Sequence, residues 1–288
     1  MSANRRRVPV VALWCPMVAK LLMIGGGRMG EALLKGLLRS GWAQPGDLVV
    51  SEVSEARREH LSSEKALAGV GLVGTAEIPP AEGVVVAVKP TDVEGVCRSL
   101  ASARPQRVLS IVAGARLADL EAWCGTGVPV IRAMPNTPAL VGAAATALSA
   151  GSSAGAVDME WASTLMRSVG TVVEVPEHLM DAVTGVSGSG PAYLFLVVEA
   201  LTEGGVLVGL PRAVATNLVA QTLLGSARLL VETEESPEAL RAAVTSPGGT
   251  TAAGLRQLEA RGTRAAFVEA VAAAVRRSQE LARGLPPV

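Results

Sequence analysis

Six short apolar runs constrain this chain more than any other feature. KLLMI, LVVSE, VVVAV, RVLSIV, VPVIR and TVVEV recur through the first 177 residues, several of them with no polar alternation. A strand that is apolar at every position must be covered on both faces, the condition of a parallel sheet flanked by helices. Helical patterns separate the runs, and Gly and Pro collect at the joints, as in Pro79-Pro80 and Pro135-Asn136-Thr137-Pro138. Residues 17–177 therefore read as α/β, with βαβ units in a doubly wound sheet.

After Pro176 the strand-like runs stop. Apolar residues recur at helical spacing through 191–208, 213–231, 251–260 and 264–283. Pro191, Pro211, Pro237 and Pro247 fall at or near the starts of successive segments, where a missing N–H costs least. Residues 178–288 thus read as an all-helical second domain. The length of 288 residues agrees with two domains at roughly 150 residues each. Aromatics are only 2% against 49% hydrophobic residues, so the core must be built from Ala, Val and Leu. Segments such as FVEAVAAAV carry so many small apolar side chains that a partner chain is expected to complete their packing.

Composition excludes several classes of function. Lys plus Arg equals Asp plus Glu at 26 each, so no overall basic field attracts nucleic acid. Cys15, Cys97 and Cys124 stand far apart and form no CxxC pair, which argues against a structural metal or a disulfide framework and for a reducing cytoplasm. The opening MSANRRRVPVVALWCP pairs a basic cluster with an apolar run of about seven residues, short for a signal peptide. Pro9 interrupts it, and bulky Trp14 precedes Cys15. Residues 1–16 are expected to be a disordered extension, with Met17 a candidate start. No uninterrupted apolar run reaches ~18 residues, so no membrane span is expected.

The most specific local pattern is Gly25-x-Gly27-x-x-Gly30. It follows LLMI directly and opens the amphipathic EALLKGLLRS, the strand–turn–helix context of a Rossmann dinucleotide site. Gly25 permits the tight turn, Gly27 lets the backbone approach a pyrophosphate, and Gly30 lets helix and strand pack closely. The helix N-terminus directs its N–H groups at the anion. The residue reading the adenosine ribose should lie about 20 residues on, at the end of the second strand. Glu52 lies there and favours NAD by repelling a 2′-phosphate. Ser54, Arg57 and Arg58 follow it and could hold that phosphate, or could equally be a solvated charge run. NAD against NADP stays open.

Three further strand ends carry polar or glycine-containing turns. AVKP (87–90) places Lys89 toward the crevice beyond the sheet's carboxyl edge, or makes it an ordinary surface lysine. IVAG (111–114) and MPNTP (134–138) follow the next strands, and Asn136 offers both a donor and an acceptor. In the helical part, VSGSGPAYLF (186–195), with Ser187, and VTSPGGTTAAGL (244–255) each place little side chain before a helix. Such N-termini can receive a carboxylate or phosphate, or merely cap the helix with Ser and Thr. No Ser–His–Asp set and no metal-ligand cluster is apparent. An alcohol dehydrogenase normally needs a proton shuttle. An iminium arrives already protonated and needs chiefly a hydride and orientation.

In this order, GGGRMGEALLKGLL, AVKP, RAMPNTPAL, DAVTGVSGSGPAYLFLVVEAL, GLPRAVA and VTSPGGTTAAGLRQLE together resemble pyrroline-5-carboxylate reductase, over about Lys20 to Leu281. The Ala- and Arg-rich character is similar to that of high-GC bacterial members. The resemblance implies a Rossmann domain, a helical domain interlocked with a second subunit, and larger rings of dimers. It implies NAD(P)H-dependent reduction of 1-pyrroline-5-carboxylate to L-proline. By motif, Gly25, Gly26, Gly27, Arg28, Met29 and Gly30 would hold the pyrophosphate, with Glu52 and Arg57 near the ribose. Ala87, Val88, Lys89 and Pro90, with Val112, Ala113 and Gly114, would line the nicotinamide side, and Asn136 would stand in the same crevice wall. Ser187, Ser246, Gly248, Gly249, Thr250 and Thr251 would receive the substrate. Thr251, one turn into its helix, is the candidate to place a hydroxyl near the ring nitrogen. The extension has no counterpart in the family, and Glu52-Val53 stands where NADP-preferring members often carry small hydroxyl residues. One alternative, a β-hydroxyacid dehydrogenase, would want a catalytic lysine in the second part, yet Lys20, Lys35, Lys65 and Lys89 are the only lysines. The other, a silent dinucleotide-binding sensor, would show a degraded SPGGTT.

Overall fold

The computed structural model describes residues 18–74 and 78–282. The extension read at 1–16 lies outside them. In chain order the elements are β1 (Ala19–Ile24), α1 (Arg28–Arg39), β2 (Leu48–Ser51), α2 (Glu55–Ser63), β3 (Gly71–Val73), β4 (Ala81–Val86), α3 (Val93–Ala103), β5 (Val108–Ser110) and α4 (Leu117–Cys124). They continue with β6 (Val130–Met134), β7 (Ala144–Ala150), α5 (Ala156–Arg167), β8 (Gly170–Glu174), α6 (Met180–Val183), a π-helical turn (Thr184–Gly188) and α7 (Gly190–Leu207). The chain closes with α8 (Arg212–Thr233), α9 (Pro237–Ala243), α10 (Thr250–Ala260) and α11 (Thr263–Ala282).

Two compact units emerge. The first comprises the described residues up to 132 together with 150–169, and the second 133–149 together with those from 170 on. In the first, the strands lie in the order β3-β2-β1-β4-β5-β6, and every pair along it is parallel. The apolar runs explain this order, since all of β2 and the last four residues of β1 and of β4 are buried. Leu22, Ile24, Val84 and Val86 share one core with Val93, Cys97 and Leu100 of α3 and Leu117, Leu120 and Cys124 of α4. Alternation along β1 turns Met23 to the other face, where α1 packs: a Cβ on Gly30 would sit 3.6 Å from Met23 Cγ. The thiols of Cys97 and Cys124 lie within hydrogen-bonding reach inside the core, and Cys97 together with burial keeps Cys124 protonated.

The second unit holds the parallel pair β7–β8 and the helices from α6 onward. The four helical segments expected from periodicity are α7, α8, α10 and α11, and prolines stand at the first turn of α7 and α9 and at the N-cap of α8. These helices leave much apolar surface uncovered. On α8 only Ala215 is buried, while Val214, Leu218, Leu224 and Leu229 are exposed. Residues 177–207 and 212–233, with mean hydropathies of 1.2 and 1.3, are long and apolar enough to cross a membrane. No continuous apolar run announced this, because Glu199, Glu203 and Arg228 interrupt them.

Candidate active site

The first unit builds its candidate site at the carboxyl ends of β1, β2, β4 and β5. The chain leaves β1 through Gly25 at φ +100°, a conformation that favours glycine. Its N–H donates to Ser51 O at 2.9 Å. A Cβ there would lie 2.5 Å from Ala87 O, and one on Gly30 would lie 2.3 Å from Gly25 O. Both glycines are therefore dictated by backbone packed against backbone. Gly26 is different, since Leu61 Cδ1 would stand 2.6 Å from its Cβ. At Gly27, the N-cap of α1, a Cβ would meet nothing, and no side chain caps the helix. The exposed, uncapped start of a 12-residue helix, bordered by glycine, suits an anion such as a pyrophosphate.

Charged side chains hold this loop from the β2 end. Glu52, 9% exposed, accepts the Gly26 N–H on Oε2 and the Ser54 N–H on Oε1, each at 2.8 Å. Arg57 Nε donates to Gly26 O at 2.5 Å, and its Nη2 pairs with Glu31. Arg58 Nη1 donates to the carbonyls of Glu52 and Val53 at 2.7 and 2.9 Å. Lys35 bridges Glu31 and Glu64 at 2.6 Å each. Burial pushes the Glu31 carboxyl up, but hydrogen bonds from Lys35 and Arg57 outweigh it and hold it below its ordinary value. Glu31, His60 and Glu64 bring potential ligand atoms within 4.8 Å of one another. Lys35 and Arg57 already neutralise those carboxylates, so the cluster is an ion-pair network.

Neighbouring strand ends complete the edge. Ala87 donates to Ile24 O at 2.8 Å and Ile111 to Val86 O at 3.0 Å, so the turns after β1, β4 and β5 lie side by side. Ala87, Val88, Lys89 and Pro90 leave β4 with Lys89 and Pro90 exposed. Ser110 Oγ accepts the Val112 N–H at 3.3 Å, and Gly114 adopts φ +78°. In the second unit, Asn136 Oδ1 accepts the Ala145 N–H at 2.9 Å, while Nδ2 donates to Ser187 O at 3.1 Å. Ser187 Oγ donates to Val183 O at 3.0 Å within the π-helical turn.

The Ser246-to-Thr251 segment opens α10. Gly248 has φ +72°. Gly249 is the N-cap, with no side-chain cap, and a Cβ on it would meet Ser246 Oγ at 2.4 Å. Gly249 is thus required by the turn itself. Thr250 and Thr251 are exposed, and Thr251 is the second residue of α10 rather than a turn into it.

The family model described as pyrroline-5-carboxylate reductase dimerisation matches residues 177–281, and one described as NADP oxidoreductase, coenzyme F420-dependent, matches 20–114. Pyrroline-5-carboxylate reductase of Synechocystis is 47% identical, covering 93% of this chain and 100% of the relative. That of Mycobacterium tuberculosis is also 47% identical, over 92% and 97%. The chain belongs to the pyrroline-5-carboxylate reductase family. Among solved structures, the Coxiella burnetii reductase superposes with a TM-score of 0.85 at 37% identity, over 92% and 99% of the two chains. The Plasmodium falciparum pyrroline carboxylate reductase with NADP bound gives 0.81 at 29%, over 92% and 98%.

Within this reductase-family chain, the structure gathers Gly25–Gly30, Glu52, Arg57, Ala87–Pro90 and Val112–Gly114 along one sheet edge. Asn136 and Ser187 meet in the second unit, where the Ser246–Thr251 turn also lies. The amide of Asn136 is engaged at both ends within the protein. The sequence reading missed Glu31, which anchors Arg57. Its signal was present in the i, i+4 spacing to Lys35, but that pairing is common on exposed helix faces.

Proposed function

We propose that the chain catalyses NAD(P)H-dependent reduction of the C=N bond of 1-pyrroline-5-carboxylate to L-proline, the last step of proline biosynthesis. One observation carries the reading. A single chain, 47% identical to a named reductase over nearly its whole length, offers two uncapped, glycine-bordered helix N-termini, at α1 and α10. The first suits a pyrophosphate and the second a small carboxylate.

Residues 17–177 serve as the dinucleotide-binding domain and 178–288 as the helical substrate and dimerisation domain. Gly25 to Gly30 hold the pyrophosphate, with Glu52 and Arg57 fixing the loop. Ala87–Pro90 and Val112–Gly114 line the nicotinamide side. When bound, the dinucleotide supplies the hydride. Backbone N–H groups at the start of α10 hold the substrate carboxylate, with Ser187 and Ser246 beside it, and the Thr251 hydroxyl steers the ring nitrogen. Because the iminium arrives protonated, these residues chiefly orient it. The exposed faces of α7 and α8 pair with a second copy, and a ring of dimers in the cytoplasm is the larger assembly we favour.

The test is oxidation of NADH and NADPH in the presence of 1-pyrroline-5-carboxylate, with L-proline as product. Binding of a dinucleotide without turnover of either would replace this reading by that of a silent sensor.

A further inference from the structure

Glu52 sits where a nucleotide-binding sheet reads the adenosine ribose, at the end of its second strand. Its carboxylate has little freedom there. Both oxygens accept backbone N–H groups, from Gly26 and Ser54, at 2.8 Å. A carboxylate held at both oxygens cannot swing aside for a second negative group.

The groups that would welcome a 2′-phosphate are committed elsewhere. Ser54 Oγ caps α2 by accepting the Arg57 N–H at 3.3 Å. The Arg57 guanidinium bridges Gly26 O and Glu31. Arg58 closes the end of β2 through two carbonyls. Drawing either arginine toward a phosphate would release a carbonyl or a carboxylate that it now satisfies.

From this arrangement, which rests on the dinucleotide reading of the glycine loop, we infer that the chain selects NADH over NADPH. Glu52 is the specificity-determining residue and also holds Gly26 in place. The two roles act on different ligands. Charge repulsion penalises NADPH alone, whereas loss of the Gly26 anchor weakens both dinucleotides.

The measurement is direct binding, by nucleotide fluorescence titration, with no substrate present. Wild-type protein should bind NADPH roughly tenfold or more weakly than NADH. Because an exposed phosphate is screened, the gap should narrow with salt as the Debye length falls from about 10 Å at 0.1 M to about 3 Å at 1 M. Glu52→Gln removes the charge and can accept only one of the two N–H groups on its single oxygen. It should weaken both ligands by a common factor and bring their dissociation constants within roughly threefold of each other. NADPH binding wild type as tightly as NADH, or an undiminished gap in a folded Glu52→Gln protein, overturns the inference. Should that variant fail to fold, the wild-type ratio and its salt dependence still decide. Failure of wild type to bind either dinucleotide would instead remove the loop reading beneath it.

Discussion

The Asn136 side chain donates to the Ser187 carbonyl at 3.1 Å while accepting the Ala145 N–H at 2.9 Å, so one amide ties the turn after β6 to the π-helical turn before α7. Asn136→Asp keeps the acceptor for Ala145. When ionised, however, it has no donor and sets a carboxylate against the Ser187 carbonyl. Its folded-state pKa should therefore rise above the unfolded value. The penalty, about 1–3 kcal/mol, is present above the folded pKa and fades as pH falls through it. Melting temperatures of variant and wild type from pH 7 to about pH 4, the unfolded aspartate range, should converge toward acid, and parallel curves would show that the donor is dispensable.

Gly25 and Gly27 are two residues apart and should respond to alanine in opposite ways. Gly25→Ala forces a Cβ to 2.5 Å from Ala87 O at positive φ. We expect a cost of at least about 2 kcal/mol in stability. Gly27→Ala meets open space at φ −62°, so stability should stay within about 0.5 kcal/mol. Its dinucleotide affinity should nevertheless drop, because the methyl group occupies the approach to the helix terminus. Calorimetric melting beside fluorescence titration separates the two, and unchanged affinity in Gly27→Ala would move the pyrophosphate away from α1.

Sequence periodicity made most of this architecture legible, and the exceptions have physical causes. Five of the six apolar runs became β1, β2, β4, β5 and β6, since full burial demands unbroken hydrophobicity; the sixth, TVVEV, became β8. β3, only GLV, is too short to show a pattern. β7, AATALSA, is buried at most positions but carries Ala, Thr and Ser, residues that do not mark strands. The glycine motif indicated where an anion could sit. The Glu52–Gly26 bond was invisible, because its partners, 26 positions apart, meet only once β1 and β2 pair.

The Glu31 network should shape acid stability. Its folded-state pKa is lowered, so its contribution is complete above the unfolded carboxyl range, about 4.3, and is lost as pH falls through the folded value. Glu31→Gln should cost about 1 kcal/mol at pH 7 and progressively less below pH ~4. Urea midpoints at pH 7 and pH 3.5 test this, and an equal loss at both would point to packing rather than charge.

Exposed leucines on α8 predict assembly. Leu218 and Leu224, 55% and 46% exposed in the single chain, should be buried between copies. Leu218→Glu with Leu224→Glu should convert an oligomer to a monomer with reduced activity, read by light scattering and turnover. An unchanged mass would place the interface elsewhere. Recovery of the wild-type chain in the membrane fraction would assign these helices to lipid.

The start of α10 offers the test nearest the chemistry. Gly249→Val is ambiguous, because its side chain strikes Ser246 within the turn before it could reach a substrate. Thr251 avoids that problem, since it lies in the first turn of α10 and is exposed. If helix N–H groups hold the substrate carboxylate, the Thr251 hydroxyl is placed to orient the ring nitrogen without ionising. Its removal should then be moderate, lowering kcat/KM by roughly ten- to a thousandfold, about 1.4–4 kcal/mol. Dinucleotide affinity should be untouched, because the α1 loop is intact. A residue that merely starts the helix would instead cost about 1 kcal/mol of stability and leave kinetics alone. Steady-state kinetics of Thr251→Ala beside its melting curve distinguishes the two. Wild-type turnover with a lowered melting temperature would remove Thr251 from the chemistry, whereas reduced kcat/KM at an unchanged melting temperature, recovered by Thr251→Ser, would assign the role to its hydroxyl.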